Sequence, residues 1–459
     1  MKTHLFLSST ILLSMLFLSG CGKSSNTLSD KSLEQETSAV QVKPSALFSE
    51  SSTVHSTTLT PKLSSEGNTT SEESVKAFFG DKENNKVIIV DIENMEQLYA
   101  SENYTGHEIT YTVANLKIVP KLYVSNRGSN AIDVIDAESM HITKTITLQH
   151  FPRSADALNE KLGLVAVSGM NKPMISIIDI YTDQVVAVVG DDIVTAPVDS
   201  ANGSHACGHP YWLNENHFVL IDRARKRLTT YKICKNEKNE WITKKLNTIC
   251  TSTTAHHLVP RENYMGKMDR YYLINEGSDT EYPSVRELVF EEGVGLKRCS
   301  KVCLVNKDVS IPQMGAHHGD FVANDTLLYV GSKEGVMFVV DYDTMKVKSM
   351  LLAGKGAGHT MMVPERDLAI TINHKDKFIT LYDTKCSHFI KNIEVSDLPD
   401  SEVGKTTIQA HPEYFVSEDA KYFYMFLTEE ARFVKVDLDL MEVVDSLYVG
   451  GKPAMGTFR

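Results

Sequence analysis

The stretch Leu122-Tyr-Val-Ser-Asn-Arg-Gly-Ser-Asn-Ala-Ile-Asp-Val-Ile-Asp136, with His141-Ile-Thr-Lys-Thr-Ile-Thr-Leu148 behind it, decides the fold. It reads as an apolar strand, a polar turn carrying Gly128 and Asn130, an alternating strand ending in Asp, and a third alternating strand. The same order returns at Leu164-Val-Ala-Val-Ser168 with Ile175-Ser-Ile-Ile-Asp179 and Gln184-Val-Val-Ala-Val-Val189. It returns again at Leu327-Leu-Tyr-Val-Gly331 with Val336-Met-Phe-Val-Val-Asp341, at Leu368-Ala-Ile-Thr-Ile372 with Phe378-Ile-Thr-Leu-Tyr-Asp383, and at Tyr422-Phe-Tyr-Met-Phe426 with Phe433-Val-Lys-Val-Asp437. Two weaker copies run from Phe218 to Ile233 and from Tyr271 to Phe290. Turn signals recur every eight to twelve residues or so and leave no room for crossover helices; a unit of roughly forty to sixty residues selects an all-β propeller over a sandwich.

The two ends of this repeat region complement each other. Val75-Lys-Ala-Phe-Phe-Gly80, Lys86-Val-Ile-Ile-Val-Asp91 and Glu96-Gln-Leu-Tyr99 look like the last three strands of a unit, and Lys452-Pro-Ala-Met-Gly-Thr-Phe458 looks like a first strand with nothing after it. Joining them predicts a β-propeller of eight blades, closed by pairing of the N- and C-terminal strands, or of seven if the Tyr271 region is an insertion. The units resemble the YVTN-type propeller repeat, best at Leu122 to Asp136. That resemblance covers most of the chain beyond residue 75 and specifies fold rather than activity.

Ahead of the repeats, Lys2 and His4 form a polar n-region and Leu5 to Leu18 a nearly unbroken apolar run of signal-peptide length. Leu18-Ser19-Gly20-Cys21 then resembles the lipobox of bacterial lipoproteins, which implies cleavage at Cys21 and its lipidation. Residues 1–21 are therefore expected to be a lipoprotein signal peptide, 22–74 a flexible Ser/Thr-rich tether, and 75–459 the propeller. This places the expected domain on the periplasmic side of the cell envelope. Gly22, where Asp would favour inner-membrane retention, favours the outer membrane.

The chain of 459 residues is 42% hydrophobic and carries a formal charge of −12, which argues against nucleic acid or an anionic membrane surface as a partner and is compatible with cations. Six cysteines follow Cys21: Cys207, Cys234, Cys250, Cys299, Cys303 and Cys386. In an oxidising compartment Cys234 and Cys250, near the ends of neighbouring predicted strands, are the first candidates for a disulfide.

Fourteen of the sixteen histidines lie beyond the tether. One stands at or just before the predicted innermost strand in seven successive units: His107, His150, His209, His256/His257, His317/His318, His359 and His411, at a mean spacing of about 51 residues, one unit. Such corners converge on one mouth of a propeller channel. Neutral imidazole suits zinc and copper, so the pattern predicts a transition-metal site made by His209, His256, His257, His317, His318, His359 and His411. His107, His150, His205, Cys207 and Asp320 form a second tier, Asp320 as ligand or as the acceptor that orients an imidazole. His141, His217, His374 and His388 read as surface or packing residues. WD-repeat propellers carry a structural Gly-His pair at this corner, and Gly106-His107, Gly208-His209 and Gly358-His359 look like it. The WD signature that would employ such histidines is absent, and the chain has two tryptophans.

Thr253-Thr-Ala-His-His257, Ala316-His-His-Gly-Asp320 leading into Leu327-Leu-Tyr-Val-Gly331, and Val449-Gly-Gly-Lys-Pro453 resemble periplasmic zinc metallochaperones that serve ABC-type importers. The resemblance implies zinc rather than copper, held by these histidines and passed to a periplasmic solute-binding protein. The long His/Asp-rich loop that would serve such a transfer is not evident. Gly208-His-Pro-Tyr211 with Phe218-Val-Leu-Ile-Asp222 is similar in character to the propeller of nitrous oxide reductase, which implies the alternative of a copper-dependent redox enzyme; no electron-entry domain follows it. A metal-free interaction scaffold is the third reading. No Gly-x-Ser-x-Gly, phosphate-loop or His-Glu-x-x-His motif occurs.

Overall fold

Each repeat folds as a four-stranded antiparallel meander in which burial follows strand position. In Ala316–Phe321, Leu327–Ser332, Val336–Asp341 and Lys346–Leu352, the second strand is buried along its whole length, the third is buried except at its ends, and the fourth alternates half-buried with exposed. Central strands packed on both faces read as unbroken apolar runs, and an outer strand packed on one face reads with period two, the pattern each repeat carries in its sequence.

The third strands that end in Asp owe that residue to the turn they enter. Asp91 accepts hydrogen bonds from the backbone N–H groups of Glu93 and Asn94, Asp179 from Tyr181 and Thr182, and Asp437 from Asp439 and Leu440. Four residues beyond each such Asp the backbone turns left-handed without glycine, at Met95, Met140, Asp183, Met345, Ser387 and Met441, with φ between 50° and 60°. The carboxylate satisfies the N–H groups that this turn would orphan. The two weaker repeats lack it at their third strands, Arg227–Lys235 and Ser284–Glu291, which are longer than the others.

The structure, a computed structural model, describes residues 74–99, 105–195, 205–251, 254–262, 268–322, 326–412 and 415–459. The leader, Cys21 and the tether as far as residue 73 lie outside them. The described residues belong to one unit, Thr70–Arg459. Among them no helix is long and apolar enough to cross a membrane.

Among the described residues six sheets have four strands each, and a seventh runs in the order Glu96–Leu98, Lys86–Asp91, Lys76–Asp81, Pro453–Phe458, Thr110–Leu116, Lys121–Asn126, Ala131–Asp136, Ile142–Thr147. The C-terminal strand Pro453–Phe458 is antiparallel to Lys76–Asp81, with Ala77 opposite Phe458 and Phe79 opposite Gly456; it touches Thr110–Leu116 and His411–Pro412 in parallel. Gly456 is required there, because a Cβ would fall about 2.0 Å from the Phe78 carbonyl oxygen.

Apolar clusters join each strand group to the next in the chain, for example Tyr272 and Ile274 with Phe338 and Val340, then Tyr329 and Val339 with Ala369 and Tyr382. The last such cluster joins Tyr424, Phe426 and Phe433 to Ala77, Phe79 and Ile88, back at the first strands.

The disulfide expectation is corrected. Cys234 stands opposite Ile242 and Cys250 opposite Arg227 on the hairpin Arg227–Lys235/Trp241–Cys250, so the two lie near opposite ends, about 23 Å apart along the strands. Both are free. Nearness of strand ends in sequence does not set which residues stand opposite one another.

Candidate metal centre

The innermost strands carry the histidines in one register. The residue of each inner segment that pairs with the last residue of the following strand is Cys207 (with Asp222), Ala255 (with Asn275), Ala316 (with Ser332), Ala357 (with Asn373) or Gln409 (with Leu427). Two residues further on stand His209, His257, His318, His359 and His411. The intervening residue is His256 or His317 in two segments and Gly208, Gly358 or Ala410 in the others. Register shifts fall between Ala255 and His257, Ala316 and Gly319, and Ala357 and Thr360. Such bulges let adjacent side chains turn to one side, so both members of each His-His pair reach the same place although they lie in strands.

The rings meet. Centroids are 5.8 Å apart for His209 and His257, 4.3 Å for His257 and His318, 3.8 Å for His318 and His359, and 5.7 Å for His359 and His411. A second tier runs beside this arc: His256 to His317 at 4.9 Å, His317 to His374 at 5.4 Å, and His374 stacked on His411 at 3.9 Å. His209, His257, His318 and His359 line a cavity of about 380 Å³ whose other walls include Met455 and Asp156.

His374, expected as a surface or packing residue, belongs to the cluster. It follows the second strand of its unit, Leu368–Asn373; Arg127, Arg223 and Glu276 occupy the same place after Lys121–Asn126, His217–Asp222 and Met268–Asn275. A polar residue one place beyond most second strands, with Gly169 after Leu164–Ser168 the exception, was the missed periodic signal.

Among the described residues four sets of three ligand atoms lie within 4.8 Å of one another: His209/His256/His318, His317/His318/His359, His317/His374/His411 and His256/Glu276/His317. The donor chemistry fits a metal. His256 Nδ1 faces Glu276 Oε1 at 2.8 Å and Arg153 Nη2 and Arg223 Nη1 at 3.3 Å each, which leaves its other nitrogen to face the cluster. That other nitrogen, Nε2, is 3.3 Å from His318 Nε2, and a tetrahedral ion with bonds near 2.0–2.1 Å spaces its ligand atoms about 3.3 Å apart. His374 Nδ1–H donates to the Gln409 carbonyl at 3.1 Å, which leaves Nε2 as a bare lone pair. Among the described residues His374 Nε2, His317 Nε2 and His257 Nδ1 are buried without a hydrogen-bond partner, a costly state for three neighbouring imidazoles unless something binds them.

Burial, aided by the neighbouring Arg153 guanidinium, pushes His257 down to about 4 and holds His209 and His256 well below the usual imidazole range; burial and the neighbouring imidazoles do the same to His318, His359 and His411. Burial takes His317 to about 3 and His374 to about 4. The rings are therefore neutral, the form that ligates.

The second-tier expectations divide. His107 sits apart, 3.7 Å from Asp133, and His150 is buried between Ser176 Oγ (2.9 Å) and the Phe151 carbonyl (3.1 Å); neither touches the cluster. Cys207 is corrected: as a ladder residue it points to the opposite face, its thiol on the Lys172 and Met174 carbonyls within an apolar cluster, pushed up to about 12 by burial. Asp320 accepts from the Thr360 N–H at 3.3 Å, and burial raises it to about 7. His205 lies in the field of Arg153, Arg127 and Arg223, which with its burial depress its protonated form. His217 is held by Asn214 at 2.8 Å, and His141 and His388 are exposed.

Gly358 marks how tightly the cluster is seated. A Cβ there would lie 2.5 Å from His374 Cδ2 and Nε2 and 2.8 Å from His317 Cδ2. Gly358→Ala is expected to displace both rings and weaken metal affinity by about 10–100-fold in a cobalt titration, the scale of lost ligand orientation.

This is an all-β propeller architecture with eight imidazoles in one cluster. Comparisons with known proteins agree on the fold. Dihydro-heme d1 dehydrogenase NirN, solved with DHE, superposes with a TM-score of 0.59 at 14% identity over 84% of this chain and 75% of its own. Apo AztD from Citrobacter koseri gives 0.56 at 11% over 84% and 98%, and the periplasmic gluconolactonase PpgL of Pseudomonas aeruginosa 0.51 at 13% over 70% and 95%. No protein-family model and no curated protein matches the chain.

Proposed function

We propose that this chain is a metal carrier of the cell envelope, an eight-bladed propeller closed by its terminal strands, whose cluster holds a transition metal as cargo. The observation that carries the reading is the shared register of His209, His257, His318, His359 and His411, with His256, His317 and His374 in ring contact beside them. Imidazoles with one carboxylate suit zinc and copper alike. The resemblance to zinc metallochaperone propellers favours zinc, and the likeness to AztD supports the fold. In this reading Cys21 carries the lipid, the propeller faces the periplasm from the outer membrane, and the metal passes to a solute-binding protein of an importer. Eight blades follow from counting the nine-stranded sheet as two.

The test is elemental analysis of the mature chain purified without its lipid. At least one equivalent of zinc is expected after reconstitution; less than about a tenth of an equivalent of any transition metal rejects the proposal. The triads His209/His256/His318 and His317/His374/His411 share no residue, which leaves room for more than one ion and keeps a copper redox enzyme as the second reading. Lack of copper absorption and paramagnetic signals after copper loading and oxidation removes it.

A further inference from the structure

The Nδ1 atom of His256 stands among three charged partners. Arg153 Nη2 and Arg223 Nη1 each direct an N–H at it across 3.3 Å, and Glu276 Oε1 lies 2.8 Å away. The repeat brings them together: His256 is on the innermost strand Ala255–Glu262, and Arg223 and Glu276 each stand one place beyond a second strand, His217–Asp222 and Met268–Asn275. Arg153, Arg223 and His256 are all buried. Glu276 also pairs with Arg223 through Oε2, 2.6 Å from Nη2. Among the described residues no carboxylate lies within ion-pair distance of Arg153, which gives Nη1 to the Cys207 carbonyl at 2.9 Å. On the other side of the ring, His256 Nε2 is 3.3 Å from His318 Nε2.

A neutral imidazole has one N–H and one lone pair in its plane, so these partners make opposite demands on it. With the proton on Nε2, Nδ1 accepts from both guanidinium groups, Nε2–H donates to His318, and Glu276 keeps its pair with Arg223. With the proton on Nδ1, the ring donates to Glu276 and presents a bare Nε2 to the cluster, but two buried guanidinium N–H groups then face another N–H, a costly arrangement. The first form satisfies more of the buried donors and occupies the nitrogen a metal needs. The second is the ligating form.

We propose that Arg153 and Arg223 hold the metal-free His256 with its proton on Nε2, and that metal binding moves the proton to Nδ1, where Glu276 accepts it in a hydrogen bond. The two arginines are then positioning residues that lower the affinity of the site and ease release of the ion. One proton leaves Nε2 and one is taken up at Nδ1, so the charge of the ring does not change. Where the ligating form is the minor one, apparent affinity falls in proportion to its share. The coupling to metal rests on the metal-carrier reading; the proton position in the metal-free ring does not.

The test is nitrogen NMR of isotopically labelled histidine rings in the mature chain, with His256 identified through His256→Gln. Without metal, Nε2 is expected to be protonated and Nδ1 bare; with zinc, Nδ1 is expected to be protonated. A metal-free ring protonated on Nδ1 in the unaltered chain overturns the proposal whether or not any variant folds. Arg153→Met is expected to shift the metal-free ring toward Nδ1–H and to tighten cobalt(II) binding about tenfold, and Arg153→Lys, which keeps a charged donor, to do less. Glu276→Gln is expected to weaken cobalt binding by a factor of about ten. Tighter binding in Arg153→Met with the ring unchanged is an effect of charge alone and overturns the coupling. If the chain takes up no metal, the carrier reading fails and the coupling with it, and the metal-free spectrum decides whether the arginines set the ring.

Discussion

His317→Ala is expected to lower transition-metal affinity by more than about a hundredfold, beyond the range set by orienting partners alone. His317 belongs to three of the four ligand triads and touches His256, His318, His359, His374 and His411, so its loss removes a donor from each of those sets at once. The measurement is metal content after gel filtration together with a competition titration. His107→Ala is the control, because that ring lies against Asp133 outside the cluster; it should leave metal content unchanged. A scaffold that uses no metal requires both substitutions to be silent.

The second large effect is on stability as a function of pH. The metal-free chain should lose stability steeply between about pH 6.5 and pH 4, and bound metal should protect it. His150, His257 and His374 lie near 4 in the folded chain and His317 near 3, against 6.5 for a free imidazole. Over that interval the unfolded chain binds more protons than the folded one, so the stability these rings confer is complete above about pH 6.5 and falls as pH drops toward the folded values. At pH 5 each such ring costs about 2 kcal/mol, and several together rival the whole stability of a domain. Metal at a thousandfold excess over its Kd adds about 4 kcal/mol to the folded state. Thermal melts at pH 7 and pH 5, with and without metal, check both parts. A metal-free melting temperature that does not fall on acidification contradicts this account of the cluster.

The repeat was legible because its physics is local. Two-sided burial made Leu164–Ser168 and Leu327–Ser332 continuous apolar runs, and the left-handed turn after Asp91, Asp179 and Asp437 fixed Asp at each strand end. The histidines of the inner strands were legible through their period. His374 and Glu276 were not, since neither lies on an inner strand; they reach the cluster only because the place after each second strand abuts the neighbouring inner one. His107 and His150 kept the period and missed the site. In the first repeat Thr112 stands two residues beyond the residue paired with Asn126, where later repeats have histidine, and in the terminal strands Met455 stands two beyond the residue paired with Asp81. The Cys234 and Cys250 expectation failed because register is set by the full hairpin and is not visible in strand order.

Anomalous diffraction at the metal absorption edge, from crystals of the reconstituted chain, tests the central claim most directly. The predicted result is one or more peaks within bonding distance, about 2.1 Å, of imidazole nitrogens drawn from His209, His256, His317, His318, His359, His374 and His411. Peaks confined to the outer surface, with the imidazoles of the cluster hydrogen-bonded only to one another and to water, would contradict it.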